Sequence, residues 1–492
     1  MIDPPVGKRG AMTKIADDRW GSEDAYFAKP PASVPGDAQW VSILFFYVLL
    51  PLNIVMALTA TFVDPLFRWI SSVAKYSALN GRPLILAWAW WWYQVAAALR
   101  LLLRSGKSRF TFFEASRALF GGEDWWWHGE GAWNCPYASV RETMASDQTR
   151  APAFGAVSTC VPELFPADML LFLDGQKWKT VRGLIESQLT TEENWGPRVD
   201  KLPELLARLA PSPCTLKTLD KPTCDKMVAT AVWYLVFGVE LSEEQATTVG
   251  QWGASGLAGY FIFPRMIHRI AFNRLLARVT SLRKDTLAVF TALGLQERAV
   301  ELNSMLGPHA RPSALAFADE LMYAVNFAGV GGTQHGCWGT LSFLQRRTID
   351  VPPASVTFPH ESMVALYRAR PDAFIKECVR LDAPVTSATC VFATPTSVDF
   401  NNSCCAAAPR GHSLPEGTLH QYVLSIANRD ESKFPSPSTF DPTRANLDDM
   451  LGWNGQLSAP AEYPRICPGR DMSIAIIRAV VGLVEEVQGL GA

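Results

Sequence analysis

The chain has no excess of either charge. Lys and Arg number 45, Asp and Glu 47, and the formal net charge is -2. That balance argues against a protein built to hold nucleic acid. No Cys-x-x-Cys pair occurs among the ten cysteines, which are scattered apart from the adjacent Cys404 and Cys405. Zinc-ribbon and thioredoxin-type motifs are thereby excluded, no disulfide framework is spelled out, and a reducing compartment is expected. Gly and Pro, at 34 each, are ordinary in number, and no fixed-period repeat is visible, which excludes collagen-like and solenoid chains. No secretory signal starts at Met1, because the first 37 residues are polar with charges of both signs. Charged residues are only 19 % against 48 % hydrophobic, the reverse of a disordered chain. At 492 residues there is room for one large domain or two ordinary ones.

What is abundant is tryptophan, 17 in all and gathered toward the N-terminus. Two uncharged apolar runs lie there. Residues 38–63 are long enough to cross a bilayer, with Pro51 as an expected kink and Trp40 and Tyr47 suited to an interface. Residues 83–99 carry Trp88, Trp90, Trp91 and Trp92 and are followed by Arg100, Arg104, Lys107 and Arg109. This shorter run suits a helix lying at a membrane surface. Two buried core helices would read the same way. If the first run spans, the basic cluster leaves the remainder on the cytosolic face of the endoplasmic reticulum or of an organelle membrane. The expected layout is a polar tail (1–37), membrane-associated hydrophobic segments (38–104) and one large domain (105–492).

Beyond residue 105, helical spacing of apolar residues recurs at 136–147, 176–190, 200–209, 226–240, 272–306, 361–382 and 469–487. The longest candidate helix runs from Pro312 to Arg346, with Pro312 in its first turn and Asp319 and Glu320 early. Strand-like patches are few: 385–399, 419–426 and 355–359. Residues 110–136 give no clear pattern. The domain is expected to be mainly helical with small β-sheets.

Four short motifs carry the chemistry. In Arg465-Ile-Cys467-Pro-Gly469 a cysteine precedes a helix N-terminus, where the dipole and free N–H groups favour a thiolate. Arg465 could meet an anion beside it. In Glu377-Cys-Val-Arg380 the acid and base share one helical face. Phe440-Asp-Pro-Thr-Arg444 closes a Pro-rich stretch, and its Arg could join that pair. In Trp178-Lys-Thr-Val-Arg182 the two named side chains share a face. Each alone reads as an ordinary buried cysteine, surface pair, loop or helix end.

Taken in chain order, from Trp178-Lys-Thr-Val-Arg182 through Glu377-Cys-Val-Arg380 and Phe440-Asp-Pro-Thr-Arg444 to Arg465-Ile-Cys467-Pro-Gly469, the four resemble the cytochrome P-450 superfamily, as does the stretch from Leu414 to Arg444. The resemblance covers about residues 136–490. It implies a mainly helical triangular prism with small sheets and a b-type haem held by Cys467 as axial thiolate. It also implies haem propionate contacts from Arg465, Trp178 and Arg182, with Gly469 completing the cysteine loop. Glu377, Arg380 and Arg444 would form a buried structural triad. The helix from Pro312 to Arg346 would cross the distal face, with Gly329, Gly331 and Gly332 against the haem.

Two departures shape the functional expectation. Pro460 and Tyr463 stand where the family's haem loop has Phe and Gly, after Gly452-Trp-Asn-Gly455. On the distal helix, Gly331 and Gly332 stand where oxygen-activating members carry an acid and an alcohol, and Thr333 follows one residue late. Glycines relay no protons. A monooxygenase needs dioxygen, two electrons and protons; a substrate that is already a hydroperoxide needs neither electrons nor relay. The sequence therefore looks similar to the allene oxide synthase and hydroperoxide lyase branch, with Asn326, Thr333 and Gln334 as polar candidates on the distal helix. Such an enzyme would rearrange or cleave fatty-acid hydroperoxides without external reductant. A monooxygenase served by an NADPH-dependent reductase, or a haem-binding member without turnover, would share most of these features. The expected partners are a lipophilic small molecule and a membrane, and no nucleic acid.

Overall fold

The computed structural model describes residues 20–22, 50–79, 84–106, 108–120, 124–128, 131–146, 149–150, 169–253, 273–398 and 412–489. Residues 38–49 of the first apolar run, Pro83 of the second, and most of the 1–37 tail lie outside them.

The described chain opens with three helices, α1 (Leu50–Phe62), α2 (Asp64–Leu79) and α3 (Leu84–Ser105), followed by α4 (Arg109–Phe120). Pro51 falls in the first turn of α1, where its missing N–H has no intrahelical partner to lose. Arg100 on α3 ties the three together. Its guanidinium donates to the carbonyl of Ala60 at the end of α1 (3.1 and 2.9 Å) and to Asp64 Oδ1 at the start of α2 (2.6 Å). It also lies 4.2 Å over the Phe67 ring. A cation at a helix C-terminus meets orphan carbonyls and the negative end of the dipole. No helix among the described residues is long and apolar enough to cross a membrane.

The unpatterned stretch 110–136 becomes the end of α4 and a tryptophan-rich hairpin, β1 (Trp125–His128) and β2 (Gly131–Asn134). The hairpin joins a four-stranded sheet of order β1-β2-β6-β3, with β3 at Ala388–Val391 and β6 at Leu419–Tyr422. The β2–β6 pair is parallel and the others antiparallel. β4 (Thr396–Val398) and β5 (His412–Leu414) form a separate antiparallel pair. One buried cluster runs from Ala60, Phe67, Ile70, Ala97 and Leu101 through Phe113 to Trp126, Trp133 and Val423. The N-terminal helices are thus packed onto the sheet.

The helical body follows. Those of its helices that frame the site are α5 (Tyr137–Ala145), α6 (Gly175–Ile185), α7 (Lys221–Phe237), α8 (Glu243–Gly253), α9 (Asn273–Ala292), α10, α11 (Pro371–Leu381) and α12 (Arg470–Val481). The single helix expected over 272–306 breaks after α9, where Gly294 adopts φ 72, and resumes at Gln296–Met305. A left-handed turn of this kind costs a glycine little. The helix expected over 361–382 likewise splits, into Met363–Ala369 and α11.

The long helix α10 comprises Ala314–Met322, a π-helical stretch Tyr323–Val330, and Gly331–Leu344. Its N-cap is Ser313, whose Oγ accepts from the Ala316 N–H, so Pro312 stands before the cap instead of in the first turn. Asp319 and Glu320 are buried in ion pairs, Asp319 with Arg283 of α9 and Glu320 with Arg311 (2.7 Å). They are partners of these arginines across the core, beyond any dipole role.

Trp20 is the unexpected member of the main core. It is buried and its ring stacks on Phe290 of α9, 6.3 Å between centroids at 10°. A Cβ on the neighbouring Gly21 would lie 2.9 Å from Ser313 Cβ. Part of the polar N-terminal tail therefore docks against the start of α10.

Candidate haem-thiolate site

Three parts of the chain build the site: the loop before α12, helix α6, and the middle of α10.

The cysteine loop is held from inside. The Cys467 N–H donates to the Trp453 carbonyl (2.8 Å), and Asn454 Nδ2 donates to the Arg465 carbonyl (2.8 Å). Trp453 Nε1 donates to Ser473 on α12 (3.2 Å). The Trp-Asn-Gly segment is therefore the outer wall of the loop. Tyr463, standing where the family pattern has glycine, is fully buried and its hydroxyl donates to Gln456 Oε1 (2.6 Å). Room for it comes from Gly455, where a Cβ would sit 2.8 Å from Tyr463 Cβ. Gly452 makes a similar close approach, 2.7 Å from Val379 Cγ1 of α11. Pro460 starts a short 3-10 turn, Pro460–Glu462.

Gly469 caps α12, so Cys467 sits just before a helix N-terminus. Burial pushes the Cys467 thiol up from its ordinary value, while the Gly469 N–H and the Arg182 and Arg470 guanidinium groups pull it down.

Helix α6 places Trp178 and Arg182 beside this loop. Arg182 donates to the Ile466 carbonyl and, at 2.7 Å, to Glu186 Oε1. Arg465 lies over the Trp178 ring, 4.6 Å from its centroid, and donates to Asp174 Oδ1 (2.7 Å) and the Leu173 carbonyl (2.9 Å). Asp174 was not among the residues singled out for the site. Its position directly before Gly175-x-x-Trp178 was the available signal, since a carboxylate next to a helix start is well placed for a cation.

The structure brings Glu377, Arg380 and Arg444 together. Arg380 donates to both Glu377 oxygens (2.7 and 2.8 Å), and Arg444 Nε donates to Oε1 (3.2 Å). The Asp441 N–H adds a further bond to Oε1 (2.9 Å). Arg444 also donates to the carbonyls of Pro435, Ser436 and Thr439, and Arg380 to that of Asn428. The cations are thus spread over backbone oxygens, and the Pro-rich segment is clasped to α11.

Helix α10 is buried along most of its length but partly open in its middle, at Ala324, Phe327, Ala328, Gly329, Gly331, Gly332 and His335. All but Gly329 follow the three-or-four spacing of one stripe of a helix. A Cβ on Gly332 would meet nothing within 4 Å, and one on Gly329 would make only ordinary contacts. α10 packs directly on α12, where Gly336 meets Ile477 with a Cβ distance of 3.2 Å.

The other sequence candidates turn elsewhere. Asn326 is fully buried; its Oδ1 accepts from Trp233 Nε1 of α7 (2.8 Å) and its Nδ2 points to Met322 Sδ (3.6 Å). Gln334 donates to the carbonyls of Asp225 (3.2 Å) and Gly250 (3.1 Å), tying α10 to α7 and α8. Thr333 is buried. The titratable group on the open stripe is His335, unforeseen in the sequence. Its Nε2 lies 3.5 Å from Asp382 Oδ1 and 3.7 Å from Asp350 Oδ2, and its Nδ1 lies 3.2 Å from Arg109. These three residues could bracket a cation, but the Arg109 guanidinium, bonded to Asp350, already supplies positive charge there.

No protein-family model matches the sequence, and no curated protein matches it. Solved structures do match the fold. P450BioI, in complex with an acyl carrier protein ligated to hexadec-9Z-enoic acid, aligns over 77 % of this chain and 91 % of its own, with TM-score 0.53 and 18 % identity. Full-length CYP116B46 from Tepidiphilus thermophilus aligns over 76 % of this chain and 47 % of its own, with TM-score 0.55 and 14 % identity. CYP109B1 from Bacillus subtilis aligns over 77 % and 91 %, with TM-score 0.50 and 16 % identity. The chain has the cytochrome P450 fold. Proteins of this fold hold haem through a cysteine thiolate.

The residues present fit that group. A half-buried cysteine stands at a helix N-terminus, two arginines and a tryptophan stand beside it, and the middle of α10 presents glycines and alanines to open space.

Proposed function

We propose that this protein is a haem-thiolate enzyme of lipophilic substrates that rearranges or cleaves fatty-acid hydroperoxides without external reductant. Cys467 would hold the iron. Arg182 and Arg465, the latter stacked on Trp178, would hold the anionic edge of the haem. A thiolate-held haem supplies electron density that favours O–O cleavage. The chain's own contribution is what it places over that centre and what it withholds.

One observation carries the reading. The open stripe of α10 offers Ala324, Phe327, Ala328, Gly331 and Gly332; its His335 is engaged with Arg109, Asp350 and Asp382, Thr333 is buried, and Asn326 and Gln334 are committed to other helices. A dioxygen-dependent route needs protons delivered at this stripe, and positions 331 and 332 hold no group that can deliver them. A hydroperoxide brings its O–O bond ready-made. The small side chains leave room for an acyl chain, and a fatty-acyl cargo is the one solved with P450BioI. The Glu377–Arg380–Arg444 clasp keeps the cysteine side rigid. We place the enzyme at a membrane, on its cytosolic side, from which an apolar substrate would enter.

The test uses haem-loaded protein and linoleate hydroperoxide without reductant, followed by loss of the conjugated-diene absorbance. Rapid loss, abolished in Cys467→Ala, is expected. Turnover of an apolar substrate only with NADPH and a reductase, with product oxygen from labelled dioxygen, would replace this reading with a monooxygenase. Hydroperoxide binding seen in the haem spectrum with no turnover under either condition would leave a binding protein.

A further inference from the structure

Trp20 and Arg109 flank the apolar N-terminal region in the chain, and both are fixed to the body of the protein. Trp20, ahead of the first apolar run, is buried against Phe290 in the main core. Arg109, after the second run, bonds to Asp350 and to the Pro384 carbonyl of the same body. A segment that crossed a bilayer once would leave these two anchors on opposite sides. Both are on one.

Between the anchors, α1, α2 and α3 bury one side and expose another. Ala60, Phe67, Ile70, Ala97 and Leu101 share a core with Trp126 and Val423 of the sheet region. The outward side is apolar. Of the eleven large hydrophobic residues exposed in the described chain, nine lie here: Leu52, Ile54, Val55, Leu58, Phe62 and Val63 on and beside α1, Trp69 on α2, and Leu102 and Leu103 on α3. Phe62 is 75 % and Leu103 69 % exposed. A soluble surface rarely gathers so many. Residues 41–49, which precede α1 in the chain, are uncharged (VSILFFYVL). Arg68 and Arg104 are exposed on the same helices, and the Asp64 carboxylate is held below its usual range, chiefly by its hydrogen bond to Arg100. An apolar face with a basic fringe fits the headgroup and acyl boundary of an anionic bilayer.

We propose that α1, α2 and α3 form a one-sided platform that sits in a single leaflet. On this assignment the N-terminal tail and the haem body stay on the same side of the membrane, and α2 and α3 contribute lipid contact of their own. This deepens the membrane placement given above and rests on it. It replaces the single crossing that the 38–63 run, taken as a sequence, implies.

Full-length protein with an epitope at Met1 tests it, bound to the outside of sealed vesicles of phosphatidylcholine with a minority of phosphatidylserine. The tag and the body should both be open to added protease. Trp69→Glu/Leu102→Glu/Leu103→Glu, changed only at exposed positions, should keep its haem spectrum and detergent-phase activity yet lose at least tenfold in vesicle partition. A protected tag would show a crossing and overturn the platform while leaving the membrane placement standing. So would unchanged partition of the triple variant. Failure of the wild type to bind vesicles would sink both, whether residues 23–49 or a second copy of the chain covers the face.

Discussion

A side chain at Gly455 would have nowhere to go. Its Cβ would collide with Tyr463, the residue that fills the position where this fold family has glycine in its haem loop. The two positions are therefore coupled. Gly455→Ala should cost about 1–3 kcal/mol in chemical denaturation, and clearly less in a Tyr463→Gly background, since contacting residues do not add. Equal costs in both backgrounds would dissociate the two. Glu377 is the second residue on which much depends. It is fully buried and accepts from Arg380, Arg444 and the Asp441 N–H. Glu377→Ala should strand two cations and cost about 3–5 kcal/mol, read as poor haem retention and a lowered unfolding midpoint. Asp382 supplies a pH dependence. Burial opposes its ionisation, but His335 and the N–H groups of Ile349 and Asp350 outweigh it and hold the carboxyl below its ordinary value. Its stabilising contribution is thus present above the ordinary carboxylate range and is lost as pH falls through the depressed value. Wild-type Tm should drop on acidification more steeply than that of Asp382→Asn, and parallel curves would remove Asp382 as a source.

At the scale of elements, α10 does most to set the chemistry. The π-helical stretch Tyr323–Val330 lies at its centre, next to Gly331 and Gly332, and such widened turns often occur at functional sites. Because a Cβ at Gly332 meets nothing, Gly332→Thr should change stability by less than about 1 kcal/mol. With Gly331→Asp added, the acid and alcohol expected of oxygen-activating members would stand on the open stripe. The double variant should gain reductase-dependent turnover if that stripe faces the haem, measured as NADPH consumption coupled to product. The loop before α12 makes the complementary prediction. Cys467→Ser should move the reduced carbon-monoxide band away from the thiolate position, because the axial ligand sets that spectrum; an unmoved band would point to another cysteine.

At the scale of the molecule, the sheet joins what the sequence separates. Residues 131–134 pair with 419–422, and through this sheet the N-terminal helices become part of the body. Trp20, from the expected tail, joins the main core, and α1, α2 and α3 share a core with the sheet. Local signals gave the helical body well. Apolar spacing located both ends of α5 and the starts of α6 and α12 closely, and ran past the ends of the latter two. It ran neighbouring helices together where a glycine turn or a cap separates them, because periodicity does not register a one-residue reversal.

The four motifs were legible because each needs particular residue types at short spacing: a cysteine before a helix cap, an acid and a base three apart, a Trp and an Arg four apart. Sequence alone thus singled out the cysteine before a helix cap and the glycines at 331 and 332. Tertiary structure decided the rest. It chose which way each side chain on α10 turns, sending Asn326 to Trp233 and Gln334 to α7 and α8 while His335 stays on the open stripe. It also brought Trp20 and Arg109 to the same body. Both depend on contacts between residues far apart in the chain, and spacing along a sequence carries no record of those.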